Sequence, residues 1–228
     1  MLFDDRMTLY HGSAELIKKP EPGRGNPYND FGPGFYCTCS KDLAKEWACR
    51  DGRNGYALGY RLNAEGLRVL RLGETPLGVL QWLAVLLRYR AFSAKNEACY
   101  LAAEALKERF APELDGVDLI VGPRADDSAF SFAQTFLDGE LSLERLLAAL
   151  RLDAEGEQVV VVSKTAFARL THLDAEEAQG AQYDPVRRAR DFLLRARYAE
   201  TVEQDAANGL GLLELTEGGI DANDPRLQ

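Results

Sequence analysis

Residues 158–162 read Gln-Val-Val-Val-Val. Four β-branched residues in a row leave no polar face, so this segment fits a strand that is buried on both sides. The other strand-like runs are short. Residues 7–11, 34–38, 56–62, 67–72 and 117–121 each have strand character and end in polar or Gly/Pro turns. The runs 56–62 and 67–72 predict a strand pair, with residues 63–66 as the turn between them. Helical spacing follows Ser40, with Leu43, Ala44, Trp47 and Ala48 on one face, and recurs over 78–89, 96–110 and 142–150. A helix or turn follows at 163–170. Residues 184–204 predict an amphipathic helix with Pro185 in its first turn. Short strands and helices without regular βαβ spacing give the α+β class rather than a doubly wound sheet.

The chain has 228 residues, enough to bury a large core without disulfide or metal staples. Strand-like runs stop near residue 175. The expected organisation is therefore one domain over 1–175 and a helical C-terminal extension over 176–228. The Gly- and acid-rich tail from 209 onward is expected to be weakly ordered.

Net charge is −9 at pH 7, which repels phosphate backbones and argues against stable nucleic-acid binding. The basic run Arg187, Arg188, Arg190, Arg195 and Arg197 mixes with Asp191 and apolar residues, as on a solvated helix face. The four cysteines at 37, 39, 49 and 99 lack metal-site spacing, and neither His11 nor His172 clusters with them. No metal site is expected, and scattered thiols suit a reducing compartment. The N-terminus lacks an apolar signal core, and the most apolar stretch, 77–87, is too short to span a bilayer. A cytoplasmic protein without membrane attachment is the expectation.

Two segments carry the chemistry. Leu9-Tyr10-His11-Gly12-Ser13 ends a strand in a polar turn, and glycine there permits close approach to the backbone. Asp30-Phe31-Gly32-Pro33-Gly34-Phe35-Tyr36 leads into the second strand, where Phe35 and Tyr36 must point to opposite faces. One ring is then committed to the core, and the other is free to stack on a planar ligand.

In this order, the two segments resemble the ADP-ribosyltransferase superfamily. They are closest to a largely uncharacterised bacterial family within it. That family opens with Leu-Tyr-His-Gly-Ser, continues through a Pro-rich loop to Asp-Phe-Gly-x-Gly-Phe-Tyr-x-Thr, and then carries Ala-x-x-Trp-Ala on a helix. Here these are residues 9–13, 30–38 and 44–48. The likeness runs on through Gln81-Trp82-Leu83, Arg90, Val121-Gly122-Pro123, 125–127, 137–142 and 158–160, and covers about residues 8–170.

The resemblance implies a split β-sheet with flanking helices, and NAD as the substrate. It implies that His11 donates a hydrogen bond to the nicotinamide ribose, that Gly12 clasps the nicotinamide amide through its backbone, and that Tyr36 stacks on the ring. Ser13, Asp30, Gly34 and Phe35 belong to the same cofactor-binding motifs. The loop 20–29 would cover the dinucleotide, with Arg24 on the pyrophosphate.

The superfamily's late-strand glutamate falls on Gln158. A carboxylate there would stabilise the cationic transition state of nicotinamide release, whereas an amide can only hydrogen-bond. Glu157 would lie on the opposite strand face. Asp126, Asp127 and Glu140 are alternative carboxylates. With His11, Tyr36 and Gln158 as catalytic residues, the implied function is ADP-ribosyl transfer to a macromolecular acceptor, as by a bacterial toxin or effector. The alternative is a module that binds NAD or ADP-ribose without transfer. The helix at 185–204 motivates a protein partner as well.

Overall fold

The computed structural model describes residues 6–125, 127–152, 156–203 and 209–228. It shows a mixed α+β fold with two sheets and eight α-helices among these residues.

β1 (Arg6–Ser13), β3 (Gly55–Asn63) and β7 (Leu170–Ala178) form one antiparallel sheet in the order β1-β3-β7. β2 (Phe35–Cys37), β6 (Glu157–Val161), β5 (Leu119–Pro123) and β4 (Val69–Arg71) form the other, in the order β2-β6-β5-β4. Here β6 pairs antiparallel with both neighbours, and β4 pairs parallel with β5. The sheets meet where Tyr10 and Thr38 exchange two backbone hydrogen bonds of 2.8 and 2.9 Å.

The all-valine run occupies the interior of the second sheet, as its composition predicts. Val159 and Val161 join Leu9, Leu58, Tyr60 and Phe35 in a core between the sheets. Val160 faces the other way, into a larger core built with α2 (Pro76–Tyr89), α3 (Glu97–Arg109), α4 (Asp127–Leu137) and α5 (Leu143–Leu150). Local capping starts these helices where the sequence places them: Ser40 accepts from Leu43 N in α1 (Lys41–Ala48), and Ser142 accepts from Arg145 N in α5.

Three expectations change. The runs at 56–62 and 67–72 do not pair with each other; β3 and β4 sit in different sheets, and the turn after Asn63 carries the chain across. β4 instead lies beside β5, where Leu70 opposes Ile120 and both meet the larger core. β7 was not legible as a strand, because most of its residues are exposed and several are acidic. Its pairing with β3 rests on the backbone ladder, and it runs through residue 175. Finally, the segment from 209 onward is folded. α8 (Leu212–Glu217) and a 3₁₀ turn at Pro225–Leu227 bury Leu210, Leu212, Leu215, Ile220 and Leu227 in the larger core. Five apolar residues scattered among glycines and acids form no sequence period, yet they suffice once α3 offers a face.

α7 spans Gly180–Glu203, so Pro185 lies past the first turn, inside the helix. It is fastened to α1 through Glu46, a buried carboxylate gripped by Arg190 with contacts of 2.9 and 3.0 Å. Bidentate pairing of this kind offsets the cost of burying the charge. Arg190→Ala should therefore destabilise the fold by about 2–4 kcal/mol, somewhat below a fully buried pair because the guanidinium keeps some water. Urea denaturation measures this directly, and an unchanged midpoint would mean that Arg190 does not hold α7 in place.

Candidate functional site

A cleft of about 760 Å³ opens where β1 ends beside β2 and β6. It is lined by His11, Gly12, Ser13, Asp30, Tyr36 and Gln158, six of the residues that the motifs single out. Asn26, Tyr28 and Asn29 of the Pro-rich loop reach the same cleft.

The imidazole of His11 stacks on Phe35, with ring centroids 4.3 Å apart, and its Nδ1 lies 2.6 Å from the Tyr36 carbonyl oxygen. A carbonyl can only accept, so Nδ1 carries the proton. Burial lowers the pKa of His11, and the bond to the Tyr36 carbonyl opposes this only in part. The ring is therefore neutral near pH 7, and Nε2 is an acceptor. The expected donor role is thus corrected: toward a ligand, neutral His11 accepts.

Tyr36 is held as firmly. Its hydroxyl donates to the Gly32 carbonyl at 2.7 Å and accepts from Phe31 N at 2.9 Å. Burial pushes the phenol far above its usual range, so it stays protonated. The hydroxyl is fully used, and the ring is what Tyr36 offers the cleft. Gly32 permits this turn: its φ is +77°, and a Cβ would lie 2.6 Å from the Tyr89 ring.

Gln158 is buried in the cleft wall, and its Nε2 lies 3.0 Å from Asp30 Oδ2 and 3.4 Å from the Pro123 carbonyl. Both partners are pure acceptors, which fixes the amide orientation: the NH₂ faces them, and the carbonyl oxygen is the group left over. Asp30 is itself buried. It accepts from Arg90 Nη1 at 2.6 Å and from the backbone N of Ala125 at 2.9 Å, as well as from Gln158. So Asp30 is a structural clasp under the cleft, and Gln158 occupies a setting made for an amide.

Other expected residues lie elsewhere. Phe35 is in the core between the sheets, packed against His11, Tyr60 and Phe167. Gly34 backs onto β6, where a Cβ would lie 2.5 Å from Val160 Cγ1. Arg24 is strongly exposed, pairs with Glu21 at 2.8 Å and does not line the cleft. Gly12 lines the cleft, but its missing side chain serves α1: a Cβ would lie 2.1 Å from the Ala44 carbonyl oxygen. Glu157 begins β6 opposite Pro123, and Glu140 pairs with Lys95 on the surface. Asp126 lies outside the described residues, as does the side chain of Asp127.

A second set also lines the cleft, of which the motifs held only Trp47 and Arg90: Trp47 lies in α1, Arg50 and Arg53 follow it, Arg90 caps α2, Arg124 follows β5, and Arg187 comes from α7. The sequence reading placed Arg187 on a solvated face, yet α7 lies against α1 and brings this side chain to the cleft.

The family model described as "Protein of unknown function (DUF3990)" matches residues 7–172. The chain belongs to that family. No curated protein and no solved structure matches it. The DUF3990 segment contains His11, Asp30, Tyr36 and Gln158, whereas Arg187 lies beyond it.

Two titrations check this geometry. For His11, the folded pKa lies below the unfolded value of about 6.5, so the unfolded chain binds more protons as pH falls through 6.5. Stability should then drop on acidification below that pH, and His11→Asn, which keeps a donor for the Tyr36 carbonyl, should reduce the slope. An identical slope in the variant would place His11 in water. For Gln158→Glu, two carboxyl groups would face each other across one hydrogen bond, raising the glutamate pKa above its unfolded value of about 4.3. Folded protein then holds the extra proton, so this variant should lose stability relative to wild type between about pH 5 and pH 8. Equal stability at both pH values would show that Asp30 does not bind the Gln158 amide.

Proposed function

We propose that the cleft binds NAD and that the chain is an NAD-dependent ADP-ribosyltransferase acting on a macromolecular acceptor, in the manner of a bacterial toxin or effector. The observation that carries this reading is a pair of acceptors. Neutral His11 has Nε2 to offer, and Gln158 has only its carbonyl oxygen, because their donors are consumed by the Tyr36 carbonyl, Asp30 and the Pro123 carbonyl. A ligand that satisfies both must bring two donors, as the neighbouring hydroxyls of a ribose do. Tyr36 adds a flat face in the same cleft, suited to a planar ring such as nicotinamide. The order of His11, Tyr36 and Gln158 along β1, β2 and β6 agrees with the superfamily resemblance.

Gln158 also favours a second reading. Cleavage of the nicotinamide–ribose bond builds positive charge, and a neutral amide stabilises it only through its dipole. The negative charge of Asp30 is close, but Arg90 lies against it. A cleft of this kind suits a module that holds NAD or ADP-ribose and transfers slowly or not at all.

Calorimetry with NAD, followed by a nicotinamide-release assay with labelled NAD and cell lysate, separates the two. Tyr36→Ala should weaken NAD binding by about 1–3 kcal/mol, the scale of a lost aromatic stack and its burial. Tyr36→Phe, which keeps the ring, should retain most of the affinity. Label transferred to a macromolecule supports the transferase, and binding without release supports the module. If folded Tyr36→Ala binds NAD as tightly as wild type, the nucleotide lies elsewhere.

A further inference from the structure

With Arg24 outside the cleft and paired to Glu21, the anionic part of any nucleotide needs another partner. The cleft supplies it through its arginines. Among the described residues, Arg50, Arg53, Arg90, Arg124 and Arg187 line the cleft together with Asp30 and Asp51. Arg90 is committed to Asp30, and Arg53 lies 3.3 Å from Asp51.

Two buried donors on residues that line this cleft lack an acceptor among the described residues: the indole Nε1 of Trp47 and Nε of Arg187. Nη2 of Arg187 is held by Asp184 at 3.1 Å, which orients the guanidinium. The guanidinium of Arg124 lies over the Trp47 ring, 5.1 Å from its centroid. Unpaired buried donors are costly, and here both occur on residues that line one cleft.

We propose that Trp47, Arg124 and Arg187 form a subsite for a phosphate group, completed by helix α7 from outside the family-matched segment. The subsite rests on the nucleotide reading for its choice of ligand, a phosphoanhydride. In this subsite the phosphate oxygens accept from Trp47 Nε1 and Arg187 Nε, and Arg124, which lies over the Trp47 ring, lines the same cleft. Guanidinium and indole N–H groups are pure donors, so the subsite selects an acceptor-rich anion and rejects a neutral sugar.

The probe is ADP, which carries the phosphoanhydride but no nicotinamide, with adenosine as the comparison. Calorimetry should show ADP binding that weakens as salt rises, and far weaker binding of adenosine. Arg187→Gln should weaken ADP binding about ten- to a hundredfold, the range of a hydrogen bond to a charged group. Trp47→Phe, which removes one N–H and keeps an aromatic ring, should weaken it about two- to tenfold. Arg24→Gln should leave it unchanged. Should Arg187→Gln fail to fold, Trp47→Phe carries the test. No ADP binding by wild type, or equal binding by wild type and both cleft variants, overturns the subsite. If ADP binds through Arg187 while NAD does not bind, the subsite stands and the NAD reading falls. If NAD binds wild type and Arg187→Gln equally, the NAD reading stands and the subsite falls.

Discussion

The buried carboxylate of Asp30 is the constraint on which the site depends. An ionised carboxylate removed from water is unstable by several kcal/mol unless donors replace its hydration. Here the donors come from three places far apart in sequence: Arg90 at the end of α2, the backbone of Ala125 after β5, and Gln158 in β6. Meeting that one demand ties the end of the Pro-rich loop to both core layers. Phe31 is then seated in the larger core, the Gly32 turn closes against Tyr89, and the Tyr36 hydroxyl bonds across the turn. The cleft floor is thus fixed by side chains that are themselves fully engaged.

This engagement decides what the cleft can offer. A residue whose donors are spent on the protein presents only its acceptors to a ligand, whatever its usual versatility. His11 and Gln158 are both in that condition, so each presents an acceptor to the cleft. The charge in the cleft comes from arginines that follow α1, cap α2, follow β5 and project from α7. The cleft thus combines the acceptors of His11 and Gln158 with the cationic donors of its arginines.

Legibility in the sequence divides along the same physical line. His11, Tyr36 and Gln158 could be found because each sits in a local pattern: a strand end, a glycine-framed aromatic pair and an all-valine run. Their partners could not. Asp30 stood out only as part of a turn, and nothing local distinguishes a carboxylate that will be clasped by Arg90, sixty positions on, from one that stays in water. Gly12 shows the converse. Its glycine is legible, but the reason is the Ala44 carbonyl of α1 and not a ligand. β7 and the C-terminal segment were unreadable because tertiary contacts form them. An acidic edge strand is held by backbone bonds to β3, and Leu212 and Leu215 find their core against α3.

The placement of α7 follows from packing and has a consequence for the family. α1 lies against β1 and β3 on one side and against α7 on the other, so the buried Glu46 needs a cation from whatever covers it. Arg190 meets that need, and the helical repeat sets Arg187 one turn earlier on the same face, next to the cleft. Docking and cleft lining are thus one geometric event. A family member that lacks this helix would leave its counterpart of Glu46 uncovered and must replace it, pair it otherwise, or return it to water. Burial of Glu46 and the presence of Arg187 in the cleft are thus coupled through α7.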